Sequence, residues 1–433
     1  MKGRSSLLYW SFWGIAFLAI PLWYLSYPET TIKHQAKPFW VYGSQLFALL
    51  GYALFAVAIL LSVRSRFIEH RLGGLDKVYQ LHHSIAKAAF YLLFLHPVFL
   101  ALRWIPQNME KVSWYLFPVH RRLEIDLGSW AWWGLLLIMI FTLAIKIAYH
   151  RWKLLHRFTG LLFLLATLHI FILLFGKTGN TLLMVYLVLL AVTGIGAYLY
   201  KEFAFPFLAR QFNGVVTQVD RLNDRVMEIE VEVTGSGFSF VPGQFFFFRF
   251  MYPEQTNEYH PYTVCSIPGS KHIRIMVKSL GDYTGNLYKT LVSGAKVKME
   301  GPYGGFYYRN SPPKQVWIAG GVGIAPFISW MRELRYNPWP NMQIDLYYCV
   351  NAASEATHIA EFEQFQQEQH DNFRLHVVAA NTDGFLNPFN IPDIGNKTVF
   401  FCGPKAMRKA FLAAFRSMKL PESNIHYEDF DFS

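Results

Sequence analysis

The sequence is poor in charge, poor in acidic residues over its first half, and poor in cysteine. Only 16% of the 433 residues are Asp, Glu, Lys or Arg, against about 25% in an ordinary soluble domain. Residues 1–212 hold 7 Asp and Glu against 20 Lys and Arg, whereas residues 213–433 hold 22 against 20. The net charge of +11 therefore belongs to the first half. Its basic residues lie in short stretches between apolar runs. That placement argues against nucleic acid and for membrane topology beside anionic lipid. The three cysteines, Cys265, Cys349 and Cys402, all follow residue 212. A disulfide framework is thereby disfavoured, and a reducing compartment suits the second half. The chain has no C-x-x-C-H motif, which argues against covalent c-type haem. It has no EF-hand-type acidic loop, which removes direct calcium control through one.

What is abundant is apolar: 53% of residues are hydrophobic and 18% aromatic. Six segments read as transmembrane helices, at about 7–27, 39–63, 78–104, 129–149, 157–176 and 181–203. Each approaches or exceeds the roughly 20 residues needed to cross about 30 Å of hydrocarbon. The first run is too long for a signal peptide and lacks a small-residue cleavage pattern, so it reads as an anchor. With the N-terminus inside, 12 Lys and Arg fall on the inner side and 7 on the outer. This bias places both termini and the second half in the cytoplasm, with the protein integral to the cytoplasmic or plasma membrane.

Histidines within spans are costly and usually functional. The third span carries His82, His83 and His96, and the fifth carries His156 and His169. Both spans run from inside to outside, so the pairs His82 with His156 and His96 with His169 share two depths. Imidazole suits iron, and two axial histidines make an electron-transfer haem. Two haems, each held by one histidine from each span, fit the pattern. Nearby Cys or carboxylate ligands that zinc would require are missing. His82 and His96 are 14 residues apart, about 21 Å along one helix face. His83 turns away, so His82 is the better ligand. His156 and His169 are 13 apart and would not share a face of an ideal helix; ring rotation or a bend near Gly160 is needed.

After Phe212 the pattern changes. VMEIEVEV (226–233), FFFFRF (245–250) and IRIMV (273–277) are rich in β-formers and read as a small β-barrel. From about 314, strands alternate with helical segments, the pattern of a doubly wound parallel sheet. The expected architecture is thus an all-α six-helix membrane domain over 1–211, a β-barrel domain over 212–312 and an α/β nucleotide-binding domain over 313–433. Four motifs fall on this frame: HPYTVCS (260–266), SLGDYTGNL (279–287), GPYGGF (301–306) and AGGVGIAPF (319–327). The last is a Gly-rich strand-to-helix turn, where backbone N–H groups can meet a pyrophosphate. A CGP at 402–404 ends a later strand on the same edge.

In this order the motifs resemble flavoproteins of the ferredoxin–NADP reductase type. With the six-span, four-histidine half, nearly the whole chain resembles the NADPH oxidase and ferric reductase superfamily. The LHRFTG context of His156 and the LHHSIA context of His82 support those ligands. The resemblance implies FAD, two haem b groups and NADPH or NADH as donor. His260 and Pro261 would hold the FAD pyrophosphate segment, while Tyr262 and Thr263 would face the ribityl chain and flavin ring. Lys278, Gly281 and Thr284 match the segment around the FAD phosphates. Gly320, Gly321, Gly323 and Pro326 match the pyridine-nucleotide turn. Cys402, followed by Gly403, sits where the family has a thiol near the nicotinamide. Phe430, or secondarily Phe432, matches the aromatic tail that covers the flavin; Cys402, Phe430 and Thr263 would act closest to hydride transfer.

Two departures qualify the resemblance. After Val350 stand Asn351, Ala352, Ala353, Ser354 and Glu355, where many NADP-specific relatives have Arg or Ser; only Ser354 suits a 2′-phosphate while Glu355 suits a free 2′-hydroxyl, so NADH or dual use stays open. The second span has no Arg, and Leu100 stands four residues after His96, where eukaryotic oxidases place polar groups beside the outer haem. The expected reaction is transmembrane electron transfer to oxygen, giving superoxide. A ferric or cupric chelate reductase, or a haem-bearing subunit that donates to a protein partner, remains the alternative. No nucleic acid and no obligatory protein partner is expected.

Overall fold

The computed structural model describes residues 2–26, 37–118, 122–145, 147–174, 181–253 and 258–428. The chain divides into two compact units, residues 1–208 and 209–433.

In the first unit six helices are long and apolar enough to cross a bilayer. They are span 1 (Leu7–Leu25), span 2 (Pro38–Leu61), span 3 (Leu75–Leu102), span 4 (Leu123–Leu143), span 5 (Tyr149–Leu174) and span 6 (Thr181–Leu208). Span 2 is apolar all round and buried over most of its length, as expected of a central helix. Gly51 lets it approach span 3: a Cβ there would stand 2.7 Å from Leu93 Cγ.

Spans 4 and 5 both begin earlier than their apolar runs suggest. Glu124 and Asp126 lie in the first turn of span 4, where carboxylates suit the positive end of the helix dipole. Span 5 takes in the basic stretch Tyr149–Arg157, so His156 lies well inside it. The helix is interrupted at Phe158, whose N–H bonds to Leu155 O at 3.1 Å, one residue short of α-helical spacing. Thr159 Oγ1 donates to His156 O at 2.8 Å across the same point. The interruption lies at Phe158 and not at Gly160, which packs against the Tyr198 ring of span 6.

The second unit begins with β1 (Gln211–Arg221), β2 (Val226–Thr234), β3 (Phe245–Met251), β4 (His260–Thr263), β5 (His272–Lys278) and β6 (Lys296–Tyr303). They form an antiparallel sheet in the order β4-β3-β6-β1-β2-β5. A bridge between Val264 and Ile275 links the two edges into a near-barrel. Its interior is filled by alternate residues such as Phe246, Phe248, Phe250, Ile229, Val231 and Ile275.

Then come β7 (Lys314–Gly320), β8 (Gln343–Val350), β9 (Phe373–Ala379), β10 (Thr398–Cys402) and β11 (Ile425–Glu428). All pair in parallel in the order β11-β10-β7-β8-β9. β7 and β10 are buried almost throughout, as central strands of a parallel sheet are. The chain runs outward from β7 to β9, then returns to β10 on the other side. Strand order therefore reverses between β7 and β10, the place where open α/β sheets bind ligands.

Candidate electron-transfer and nucleotide sites

The histidines of spans 3 and 5 meet in the expected pairs. The His82 and His156 ring centroids are 6.5 Å apart, and those of His96 and His169 are 6.4 Å apart. A metal–imidazole bond is about 2.0 Å and the ring centroid lies about 1.1 Å behind its nitrogen, so two rings sharing one metal stand about 6.2 Å apart. Both pairs fit that requirement.

The tautomers fit as well. His82 Nδ1–H donates to Ala58 O at 2.8 Å, and His96 Nδ1–H to Ser44 O at 3.0 Å. His169 Nδ1–H donates to Glu124 O. A carbonyl only accepts, so in each ring the proton sits on Nδ1 and the Nε2 lone pair is left for a metal. His156 Nδ1 is buried with no hydrogen-bond partner among the described residues; its ring instead stacks on Trp152, 5.0 Å between centroids. Among the described residues no group of three or more His, Cys, Asp or Glu could hold a metal ion. Two protein ligands per site suit a macrocycle that brings its own four nitrogens.

A cavity of about 510 Å³ opens at His96 and His169. Its lining is mainly apolar, with Ser44, Gln45, Arg103, Tyr115 and Arg122 among its polar members. Arg122 also pairs with Glu124, whose carbonyl holds His169. Gly128 of span 4 lies against His169: a Cβ there would stand 2.7 Å from the ring. Sequence reasoning missed Ser44, Arg103 and Gly128. The available signal for Ser44 was a hydroxyl, beside Gln45, within a largely apolar span.

In the second unit β4 sets His260, Pro261, Tyr262 and Thr263 beside Phe248, Phe247, Phe246 and Phe245 of β3. The His260 ring stacks on Tyr283 with centroids 3.7 Å apart, and its Nε2 lies 2.9 Å from Glu258 Oε2. Tyr262 Oη is buried with no hydrogen-bond partner among the described residues. Burial, then the neighbouring Tyr283 and Glu258, push this phenol well above its usual range, so it stays a donor. An orphaned donor in the HPYT segment fits a polar ligand such as FAD. Gly281 caps the helix Asp282–Thr290, and Thr284 Oγ1 accepts from Leu280 N at 2.9 Å and Gly281 N at 3.2 Å. The threonine hydroxyl therefore shapes the turn from which the helix N-terminus can face an anion.

The second cradle sits at the reversal between β7 and β10. Gly320 ends β7, Gly321–Ile324 makes a tight turn, and Pro326 lies in the first turn of the helix Ala325–Tyr336. A Cβ on Gly320 would stand 2.6 Å from Pro404 Cδ, and one on Gly323 would collide with Cys402 O. Gly403 Cα lies against Gly320 in the same contact. The turn thus exists only because these positions lack side chains. It leaves the backbone open to close approach by a pyrophosphate, which fits NAD(P)H. Cys402 is buried beneath, and burial, then Glu428, hold its thiol well above the usual range. Lys278 Nζ lies 3.7 Å from Glu355 Oε2, on the turn after β8. Phe430 and Phe432 lie outside the described residues.

The barrel and nucleotide domain are tied by polar contacts. His358 Nε2 meets Glu228 Oε1 at 3.1 Å. Arg332 donates to Cys265 O at 2.9 Å and grips Glu361 through two bonds of 2.8 Å. Burial raises the Glu228 carboxyl, but the His358 hydrogen bond and the charges of His358, Arg332 and Arg274 outweigh it and hold the group below its usual range.

Comparison with known proteins agrees with this division. A family model described as ferric reductase like transmembrane component matches residues 47–167. An FAD-binding domain matches 211–306, and an oxidoreductase NAD-binding domain matches 317–412. The electron transfer component of 2-halobenzoate 1,2-dioxygenase from Burkholderia cepacia is 26% identical over 232 residues, covering 50% of this chain and 67% of that protein. The reductase component of propane 2-monooxygenase from Rhodococcus jostii is 25% identical over 234 residues, covering 50% and 62%. Among solved structures, the FAD/NAD binding domain of nitric oxide dioxygenase from Vibrio cholerae is 21% identical with a TM-score of 0.45, covering 50% of this chain and 97% of that one. With a ferric-reductase-like membrane segment followed by FAD-binding and NAD-binding modules, the chain has the domain architecture of the NADPH oxidase and ferric reductase superfamily and is a multi-pass membrane oxidoreductase for NAD(P)H-driven transmembrane electron transfer.

Proposed function

We propose that the chain moves electrons from cytoplasmic NAD(P)H to oxygen on the other side of the membrane, releasing superoxide. Bound FAD would supply the change from hydride to single electrons, and two haem b groups would supply one-electron carriers across the bilayer. One NAD(P)H and two oxygen molecules would give NAD(P)+, two superoxide anions and one proton. The observation that carries this reading is the meeting of histidines at two depths, at 6.5 Å and 6.4 Å.

His82 and His156 would hold the inner group, and His96 and His169 the outer one. His260, Pro261, Tyr262, Thr263, Lys278, Gly281 and Thr284 would hold FAD. Gly320, Gly321, Gly323, Pro326 and Gly403 would hold NAD(P)H, with the neutral Cys402 thiol packing near the nicotinamide. Phe430, or Phe432, would cover the flavin. The excess of Lys and Arg on one side supports cytoplasmic termini.

With two imidazoles taken up at each site, the acceptor would take its electron without binding the metal. A small neutral gas suits that requirement. Reduction of an anionic ferric or cupric chelate is a second reading, favoured by Arg103 and Arg122 at the cavity.

The test is an anaerobic titration of the FAD-supplemented protein with NADH and with NADPH, followed by air. Low-spin haem bands that reduce, then reoxidise rapidly with dismutase-sensitive dye reduction, are expected. Slow reoxidation by air with rapid reoxidation by a ferric chelate would replace oxygen by the chelate. Slow response to both would point to a protein acceptor, and absence of haem bands after haem supplementation would overturn the central reading.

A further inference from the structure

We propose that Ser44 is a positioning residue that sets the orientation and donor strength of His96. Ser44 is fully buried in span 2. Its Oγ–H donates to His96 O at 2.8 Å, and Oγ lies 2.7 Å from His96 Nδ1. A hydroxyl has one proton. With that proton on the carbonyl, Oγ meets Nδ1 as an acceptor. Ser44 O, 3.0 Å from the same nitrogen, independently requires that Nδ1 carry the proton. The serine therefore grips one histidine twice, through its main chain and through its side chain.

The other three rings are held differently. His82 and His169 each bond to a main-chain carbonyl, and His156 Nδ1 has no hydrogen-bond partner among the described residues. A carbonyl comes with any residue, whereas the Oγ contact belongs to serine. A second acceptor draws the Nδ1 proton further from the ring. That raises electron density at Nε2 and strengthens it as a ligand, favouring the oxidised state of a bound metal.

This inference rests on the bis-imidazole reading above, and the experiment separates the two. Full-length wild type, Ser44→Ala and Ser44→Thr are assayed for haem content and titrated potentiometrically, following the optical bands. Wild type is expected to hold two low-spin haems per chain. In Ser44→Ala one midpoint potential should rise and the other stay fixed, while Ser44→Thr, which keeps the hydroxyl, should match wild type. Loss of one haem in Ser44→Ala with retention in Ser44→Thr would also support the role. Two unshifted potentials in a fully loaded Ser44→Ala would overturn it while leaving the haem reading intact. Equal shifts or equal haem loss in both variants would overturn it too, because packing volume and not the hydroxyl would then be at work. A wild type without bis-histidine haem would overturn both.

Discussion

The rings of His82 and His156, 74 positions apart in sequence, stand 6.5 Å apart with their planes crossed at 72°. His96 and His169 repeat the relationship at 6.4 Å and 63°. His83, adjacent in sequence, faces His82 edge-on at 5.8 Å. Alanine at any of His82, His96, His156 or His169 should lower haem from two per chain to about one, because a site with one ligand lost binds far more weakly. Alanine at His83 should leave two. Haem extraction and quantitation per chain checks this. Loss of haem in the His83 variant alone would sink the ligand assignment.

The contact of Gly323 with Cys402 O makes a second prediction. Ala at 323 must push β7's turn away from β10, and displacement of about 1 Å in a positioning element can lower a rate about 100-fold. NADH-driven haem reduction should fall by that order, while reduction by dithionite should proceed as in wild type. Equal impairment of both would mean the turn serves the fold alone.

Much of this site was legible in the sequence because lipid and nucleotide impose hard constraints. Hydrocarbon requires long apolar runs, and six of the helices lie along them. A pyrophosphate requires bare backbone, and Gly320, Gly321 and Gly323 supply it. What was illegible depends on tertiary placement. Span 4 starts at Leu123 because Glu124 and Asp126 can occupy a helix N-terminus, which an apolar window discards. The 13-residue spacing of His156 and His169 defeats ideal helix geometry, yet both rings reach span 3, with the Phe158 interruption between them. Ser44 is 52 positions from His96, and no local pattern links them.

The cysteines should be inert in the native protein. Burial pushes Cys349 up to about 12, and burial foremost pushes Cys265 and Cys402 well above the thiol range. The thiolate is the species that reacts with alkylating reagents. Iodoacetamide at pH 8 should therefore label none of the three until denaturant is added, as mass spectrometry of the digested protein can follow. Rapid native labelling of Cys402 would contradict its buried, neutral role.

Acid should loosen the joint between barrel and nucleotide domain. The folded carboxyl of Glu228 titrates below its unfolded value of about 4.3. Its stabilisation is therefore fully present above that pH and is lost as pH falls through the folded value. Glu228→Gln should cost about 1–3 kcal/mol at pH 7 by weakening the His358 and Arg274 contacts. It should also flatten the acid dependence below about pH 4.3. The temperature at which flavin fluorescence appears, measured across pH, reads both effects. An unchanged acid profile in the variant would assign the dependence to other carboxylates.

Coenzyme choice should turn on Glu355 and Lys278. Glu355 ends the short turn after β8, and its carboxylate lies 3.7 Å from Lys278 Nζ and 3.2 Å from Asn351 Nδ2. At this edge a carboxylate accepts a ribose 2′-hydroxyl and repels a 2′-phosphate, so wild type should use NADH at least as well as NADPH. Glu355→Ser removes the repulsion and frees the lysine. The ratio of kcat/KM for NADPH over NADH should then rise about tenfold, or about 1.4 kcal/mol. Lys278→Ala should weaken FAD retention and also leaves the carboxylate unneutralised, so at saturating FAD the same ratio should fall. Initial rates with both coenzymes, at fixed FAD and acceptor, distinguish the two variants. If both substitutions moved the ratio in one direction, the pair would not be the discriminating element, because a charge and its counter-charge must act on a phosphate with opposite signs.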